Sequence, residues 1–171
     1  MNEFQIVKKY LKSLTNKNHS ALNLSDDISY DRSNGLSISV DTYVHGVHFL
    51  STEPNKFVKK IIRASLSDLY CKGIKPKTYF LSFGLKKSIL KNLWLLKVKK
   101  ILKNEQKKFN IFLSGGDTTY SSKFFASVIV LGYSKKKPVL RSTCNYKDDI
   151  YVTGNIGDSY IGLNILKKKY N

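Results

Sequence analysis

The chain has 171 residues, with 30 Lys and Arg against 12 Asp and Glu, and so a formal net charge of +18 at pH 7. Its 42% hydrophobic and 12% aromatic residues exclude an intrinsically disordered polypeptide, and its longest uncharged apolar run, 124–133, falls well short of the about 20 residues of a membrane span. Because the N-terminus lacks the apolar block of a secretory signal and Cys71 and Cys144 form no CxxC pair, we expect a soluble, cytoplasmic protein without a zinc site or a disulfide framework.

Apolar side chains recur along the chain with the periods of helices and strands, and Gly, Pro and Asn separate the periodic segments. In chain order the patterns first predict a helix at 3–14, a hairpin of 36–44 with the segment near Ile28, and a helix from Pro54 to about Lys72. A strand at 77–85, a helix at 88–108 and buried strands at 109–113 and 124–133 follow. The last predicted elements are a strand at 150–153 and a helix from Gly157 to the final residues. Gly73 suits the end of the second helix, and Ser88 suits the N-cap of the third. We expect an α/β (α+β) fold in which helices cover a mixed sheet.

The last predicted strand and helix have no layer to pack on. A strand that feeds a helix needs a partner strand, and the sequence stops soon afterwards. We therefore predict one domain at 1–140, and at 141–171 a linker with the first strand and helix of an incomplete second domain.

Several carboxylates lie where apolar segments end. Nine of the 12 acidic residues are Asp; Asp26, Asp27, Asp41 and Asp117 lie at predicted turns or strand ends, and Asp68 lies within a largely apolar helix. Each alone is typical of a cap or turn residue. Short carboxylates in such places also suit hard cations, and a buried Asp68 needs a cation or hydrogen-bond donors. Together the carboxylates favour a metal cluster.

The segment SGGDTT at 114–119 directly follows a predicted strand. Its two glycines let backbone amides approach a phosphate closely, and Asp117 can hold a cation that bridges the phosphate; by itself the segment is usually a turn. No GxxxxGK[ST] loop is present, which excludes a P-loop site. Arg141 is one of three Arg; it is either an ordinary surface residue or a residue at which the planar guanidinium geometry matters. A lone His in a loop, such as His48, more often makes a structural hydrogen bond than binds a ligand.

Five segments resemble, in this order, a known enzyme family: SDD at 25–27, SVDTYVHGVHF at 39–49, SLSDLYCKGIKPK at 65–77, LSGGDTT at 113–119 and VLRSTCNYKDDIYVTGNIGDSYIGLNIL at 139–166. Together they resemble thiamine-monophosphate kinase, in the superfamily that includes aminoimidazole ribonucleotide synthetase. The resemblance implies the N-terminal domain of that fold. It also implies phosphoryl transfer from ATP to thiamine monophosphate, which gives thiamine diphosphate.

The resemblance further implies a site with several magnesium ions. The implied metal ligands are Asp27, Ser39, Val40, Asp41, Asp68 and Asp117. Gly116, Asp117 and Arg141 would contact ATP, and His48 would contact thiamine monophosphate. Val40 stands where Thr is common, so only its backbone carbonyl could serve, and Ser25 replaces the usual Gly. No catalytic general base is implied, because the attacking phosphate oxygen needs no deprotonation near neutral pH.

The family also has partners and parts beyond this chain. The resemblance implies a homodimer formed by joining the sheets of two N-terminal domains. It implies a second domain with a further metal-binding Asp and much of the substrate pocket, of which 141–171 would be only the start. We therefore expect a truncated form of the enzyme.

Two other functions stay open. One is another ATP-using enzyme of the same superfamily that acts on a different phosphorylated substrate. The other is a basic nucleic-acid-binding module that uses the helix 88–108 with its seven Lys. Because 27 of the 30 cations are Lys and nucleic-acid binders favour Arg, we treat the charge as background and expect neither a nucleic-acid nor a membrane partner.

Overall fold

Five strands form one mixed sheet in the computed structural model, which describes residues 1–167. The strands are β1 (Ser29–Tyr30), β2 (Leu36–Val44), β3 (Pro76–Leu85), β4 (Phe112–Tyr120) and β5 (Phe125–Tyr133), in the spatial order β1-β2-β5-β3-β4. The pair β3–β4 is parallel, and the other three pairs are antiparallel. The expected mixed α/β class and the hairpin of β1 with β2 are confirmed.

Short helical segments precede the sheet in the chain, and two long helices between its strands cover one of its faces. They are α1 (Glu3–Ile6), a π-helical turn (Val7–Leu11), 3-10 turns (Lys12–Thr15 and His19–Leu24), α2 (Pro54–Tyr70) and α3 (Asn92–Phe109). Helix α2 packs against β2, β3 and β5, and α3 packs against α2. Within residues 1–167, no helix is both long enough and apolar enough to cross a bilayer.

The ends of α2 follow the sequence prediction, whereas the start of α3 does not. Pro54 is the first residue of α2, and the carboxylate of Glu53 accepts hydrogen bonds from the amides of the first turn. Helix α3 begins at Asn92 after an extended Lys91, so the prediction that Ser88 caps it is wrong. The backbone forms turns immediately before α3, with the amide of Ile89 bonded to the carbonyl of Lys86, and Ser88 lies inside them.

An aromatic cluster fills the space between the sheet and its helices. Phe124 is fully buried, and its ring centroid lies 5.1 Å from that of Phe57 and 5.2 Å from that of Phe49. Trp94 of α3 stacks on Phe57 at 5.5 Å. Along β5, alternate residues from Ala126 onward are buried. This confirms a strand in the predicted segment 124–133, but the strand is fully buried on one face only, because the residues between them are partly exposed.

The predicted buried strand at 109–113 is wrong in extent and in burial. Strand β4 starts at Phe112, runs through the glycine-containing segment to Tyr120, and is exposed along its whole length. Phe112 is 61% exposed, while Ile111, just before the strand, is buried. Strand β4 lies at the edge of the sheet, where it pairs only with β3, and α2 packs on β2, β3 and β5 instead.

A second unit, Ser142–Asn171, contains helix α4 (Asp158–Leu166). The strand predicted at 150–153 is not formed. A strand is stabilised by hydrogen bonds to a neighbour, and the described residues of this unit supply none, since they contain no other strand. Residues 168–171, predicted to end the last helix, lie outside the described residues. The domain boundary at 140 stays a prediction.

Candidate functional site

A polar row joins β2 to α2. Successive strand residues point to opposite faces, so Ser39, Asp41 and Tyr43 share the face covered by α2. The Ser39 hydroxyl donates to Oδ2 of Asp68 at 2.7 Å, and the Tyr43 hydroxyl donates to Oδ2 of Asp41 at 2.7 Å. The Tyr43 hydroxyl is also hydrogen-bonded to Ser65 Oγ at 2.9 Å. The structure thus brings three predicted site residues together: Ser39, Asp41 and Asp68.

The pKa of Asp68 is raised by its surroundings in this row. Burial raises the pKa of its carboxyl, and the negative charges of Asp41 and Asp27 raise it further, although the Ser39 hydrogen bond and the Lys72 charge oppose the shift. The charges of Asp41 and Asp27 therefore disfavour the ionised form of Asp68, as expected where a cation is to be bound.

Asp27 lies in an ion-pair cluster beside this row. Nη2 of Arg141 donates to Oδ1 of Asp27 at 2.5 Å, and Lys72 Nζ lies 3.8 Å from Oδ2 of Asp27. The same ammonium lies 2.7 Å from Oδ1 of Asp26. Burial alone would raise the pKa of Asp26, but hydrogen bonds from Lys72, Arg141 and Asp27 bring it below its ordinary value.

Sequence reasoning missed Lys72, Asp26 and Tyr43 as members of this region. Asp26 belongs to the carboxylate pattern but was assigned no role. Tyr43 could have been found, because it follows Asp41 at the strand period of two. Lys72 offered no signal, since it is one of 27 Lys and its burial follows from the fold.

The structure does not bring Asp117 into the row of Asp41. Asp117 pairs in register with Ser82 of β3, in a row that continues through Ser127 to Thr42. Residues in register share a face, so Asp117 lies on the face away from α2. Three inter-strand spacings, about 14 Å, separate β4 from β2.

Gly116, beside Asp117, could not carry a side chain. Its φ is +153°, and a Cβ there would lie 1.9 Å from the carbonyl oxygen of Leu81. The register of β3 and β4 shifts between Tyr79 and Phe80. The glycines of this segment therefore permit close backbone packing within the sheet, as expected of Gly in a strand interior.

The remaining predicted residues border the row of Ser39, Asp41 and Tyr43: the His48 ring packs edge-on against that of Tyr43, with centroids 6.1 Å apart, and Val40 lies between Ser39 and Asp41 on β2. His48 is exposed, and its Nδ1 accepts a hydrogen bond from the amide of Val44 at 3.0 Å. The Val40 side chain is 62% exposed and lies on the face away from α2. The structure thus leaves the roles of His48 and Val40 as predictions.

The oxygen atoms of the row suit a hard divalent cation. The carboxylates of Asp41 and Asp68 and the hydroxyl of Ser39 are ligands of the kind that Mg²⁺ prefers. Among the described residues, no group of three or more His, Cys, Asp or Glu side chains could hold one metal ion. Mg²⁺ is usually bound by one or two carboxylates together with substrate phosphates and water, so the row fits an ion that binds together with a phosphorylated ligand.

Asp68→Asn is expected to stabilise the ligand-free fold at neutral pH. Because folding raises the pKa of Asp68, its ionised form is disfavoured in the folded state, and this cost is present above the folded pKa and absent at lower pH. Asn keeps an oxygen for the Ser39 hydroxyl and removes the charge. We expect Tm at pH 7 to rise by about 2–4 °C, as for a gain of ~1 kcal/mol, and the gain to vanish near about pH 3, below the ordinary pKa of Asp. Thermal unfolding followed by circular dichroism measures both, and an unchanged or lower Tm at pH 7 contradicts this expectation.

Comparison with known proteins shows what the chain is similar to. Residues 22–134 match the family of AIR synthase related proteins, N-terminal domain. Thiamine-monophosphate kinase of Buchnera aphidicola subsp. Acyrthosiphon pisum (strain APS) is 38% identical over 172 residues, which cover 97% of this chain and 52% of the relative. The enzyme of Haemophilus influenzae is 31% identical, over 95% of this chain and 51% of the relative. The chain thus spans about half the length of the curated relatives it matches.

Two solved structures are similar over nearly the whole chain. One is AaThiL complexed with AMPPCP and TMP, with a TM-score of 0.83 and 26% identity over 99% of this chain and 53% of that one. The other is thiamine monophosphate kinase from Aquifex aeolicus, with a TM-score of 0.76 and 27% identity over 94% and 56% of the two chains.

Proposed function

The chain belongs to the family of AIR synthase related proteins, N-terminal domain, and from this membership we propose that it is the ATP- and magnesium-binding part of a thiamine-monophosphate kinase. The relatives that carry this name support the proposal. So does the similarity to AaThiL, which was solved with AMPPCP and TMP. The proposed reaction transfers the terminal phosphoryl group of ATP to the phosphate of thiamine monophosphate, in the cytoplasm, as the composition leads us to expect.

The observation that carries the proposal is the polar row between β2 and α2, with its two carboxylates Asp41 and Asp68. Asp41 and Asp68, together with the Ser39 hydroxyl that donates to Asp68, form an oxygen-rich surface beside Asp27. A fold that places mutually repelling carboxylates together, and lets burial raise the pKa of one of them, gains from an added cation. Phosphoryl transfer needs such cations at the phosphates.

The residues of this chain then have distinct roles. Asp27, Asp41 and Asp68, with Ser39, would hold magnesium ions, with one or two carboxylates to each ion. Bound magnesium would neutralise the phosphate charges. The guanidinium of Arg141, 57% exposed in its side chain, offers a planar pair of donors to ATP phosphates or ribose. For Gly116, Asp117, the Val40 carbonyl and the thiamine-monophosphate contact of His48, the proposal rests on the family resemblance.

Nucleotide binding and turnover test the proposal. Titration calorimetry of the 171-residue chain with ATP should show binding that requires Mg²⁺ and is lost on chelation with EDTA. Incubation with ATP, Mg²⁺ and thiamine monophosphate, together with a polypeptide of the remaining half of a relative, should yield thiamine diphosphate. ATP affinity that does not depend on Mg²⁺ would contradict the metal role. Conversion of a different phosphorylated substrate instead would favour the other enzymes of the superfamily.

We also propose that two copies pair through their sheets. The face of the sheet away from α2 carries apolar side chains in register, with Val40 beside Ile129 and Ile129 beside Phe80. Strand β4 adds Phe112 at the exposed edge. An apolar face rimmed by polar residues is typical of an interface, and the family resemblance implies that the dimer joins sheets.

A further inference from the structure

Lys72 is buried, which is unusual for a lysine. It lies just after the last turn of α2, its side chain is 5% exposed, and its ammonium is 2.7 Å from Oδ1 of Asp26, whose side chain is 4% exposed. The ammonium also lies 3.8 Å from Oδ2 of Asp27. Burying an ammonium is costly unless it is paired, so the fold holds this cation in one place.

Asp26 connects Lys72 to Arg141. While Oδ1 of Asp26 faces the ammonium, its Oδ2 accepts a hydrogen bond from the backbone amide of Arg141 at 2.9 Å. The side chain of Arg141 in turn reaches Asp27, whose amide donates to Oδ1 of Asp26 at 2.9 Å. The contacts close a ring: Lys72 to Asp26, Asp26 to Arg141, Arg141 to Asp27, and Asp27 to Lys72.

The ring has a buried half and an open half. Lys72 and Asp26 are shielded from solvent, whereas the side chains of Asp27 and Arg141 are 33% and 57% exposed. The buried half contains one cation and one carboxylate, and so does the open half, so neither half carries a net charge. The carbonyl of Lys72 also accepts the amide of Val139 at 3.1 Å, which ties the chain leading to Arg141 to the same point.

We propose that Lys72 is a positioning residue for the proposed nucleotide site. Through Asp26 it fixes the backbone of Arg141, and through its contact with Asp27 it holds the two open side chains in the orientation that meets magnesium and phosphate. This inference rests on the proposed function. It adds to that function a residue that itself touches neither ligand, and it assigns the buried ion pair a role beyond stability.

The chain contains a matched pair for comparison. Arg63 of α2 donates through Nε to Oε2 of Glu105 at 2.7 Å, and the Glu105 side chain is 4% exposed. This ion pair joins α2 to α3 and shares no residue with the ring. Breaking it should cost stability as breaking the Lys72 pair does, because each change leaves a charge without its partner. Only the Lys72 substitution should loosen the hydrogen bond of the Arg141 amide, because only Lys72 is linked to Arg141 through Asp26.

The test compares Lys72→Met and Glu105→Gln with the parent, all as the 171-residue chain. Amide hydrogen exchange followed by NMR reports the Arg141 amide, and titration calorimetry with ATP and Mg²⁺ reports affinity. In Lys72→Met we expect Arg141 exchange to quicken by about 10-fold or more and the affinity to fall about 10-fold. In Glu105→Gln we expect a lower Tm with both readouts unchanged, and Lys72→Arg, which keeps the charge, should restore both.

If Lys72→Met does not fold, Asp26→Asn makes the same test. Asn has one acceptor oxygen where Asp26 uses two, so it cannot hold both the ammonium and the Arg141 amide. Unchanged Arg141 exchange in the variant overturns the inference, and so does faster exchange with unchanged affinity. A parent that binds no ATP with Mg²⁺ overturns both the proposed function and the positioning role of Lys72, whereas loss confined to the variants supports both.

Discussion

Asp41→Asn should weaken Mg²⁺-dependent ATP binding about 100-fold, or ~2.7 kcal/mol, while the chain stays folded. Asn has nearly the shape of Asp and keeps an oxygen for the Tyr43 hydroxyl, which donates to Asp41 in the parent. What it loses is the negative charge at the centre of the proposed magnesium site. Removing one partner of a buried, charged contact typically costs about 2–5 kcal/mol in binding.

The matched control is Asp31→Asn. Asp31 lies in the turn between β1 and β2, where it accepts hydrogen bonds from the amide and hydroxyl of Ser33, and it belongs to neither the polar row nor the ring. Calorimetric titration with ATP, in Mg²⁺ and in EDTA, should show that only the Asp41 variant loses the Mg²⁺-dependent part. Equal affinities of parent and Asp41→Asn would remove Asp41 from the metal site.

Local periodicity was enough to predict most elements of this fold. The alternation in 36–44 and the Pro and Gly that bound α2 are properties of a few neighbouring residues, and β2 and α2 agree with them. Burial of β4 was not predictable in the same way. The apolar run before the glycines resembles a central strand, but its exposure depends on its place at the sheet edge, which pairing across the chain decides.

The candidate site was predictable from the sequence only where local periods set the positions of its residues. The sequence pointed to Asp41 and Asp68, and the structure places them beside each other because strand and helix periods set their faces. The row of Asp117 depends on the shifted register between β3 and β4, and a shift of one residue moves a side chain to the other face. Lys72 became visible only through its burial against Asp26.

The face of the sheet away from α2 leads to the last prediction. A row in register runs from Ile38 through Leu131 and Thr78 to Phe112 at the edge. Helix α2 packs on the opposite face. Burying such apolar rows stabilises an assembly by about 25 cal/mol per Å² of apolar surface removed from water. In the proposed dimer, a second copy would cover them symmetrically by presenting the same face.

Phe112→Lys should therefore convert a dimer into a monomer. Phe112 is 61% exposed on one chain, so the substitution should leave the fold of that chain nearly unchanged, while in the dimer it would bury a charge within an apolar interface. Sedimentation equilibrium should give the parent about twice the 19.5 kDa of one chain and the variant a single mass. Leu93→Lys is the control, since Leu93 of α3 is 66% exposed and lies on the helical side, and it should stay dimeric. A monomeric parent, or a Phe112→Lys variant that remains dimeric, would show that this face is not the interface.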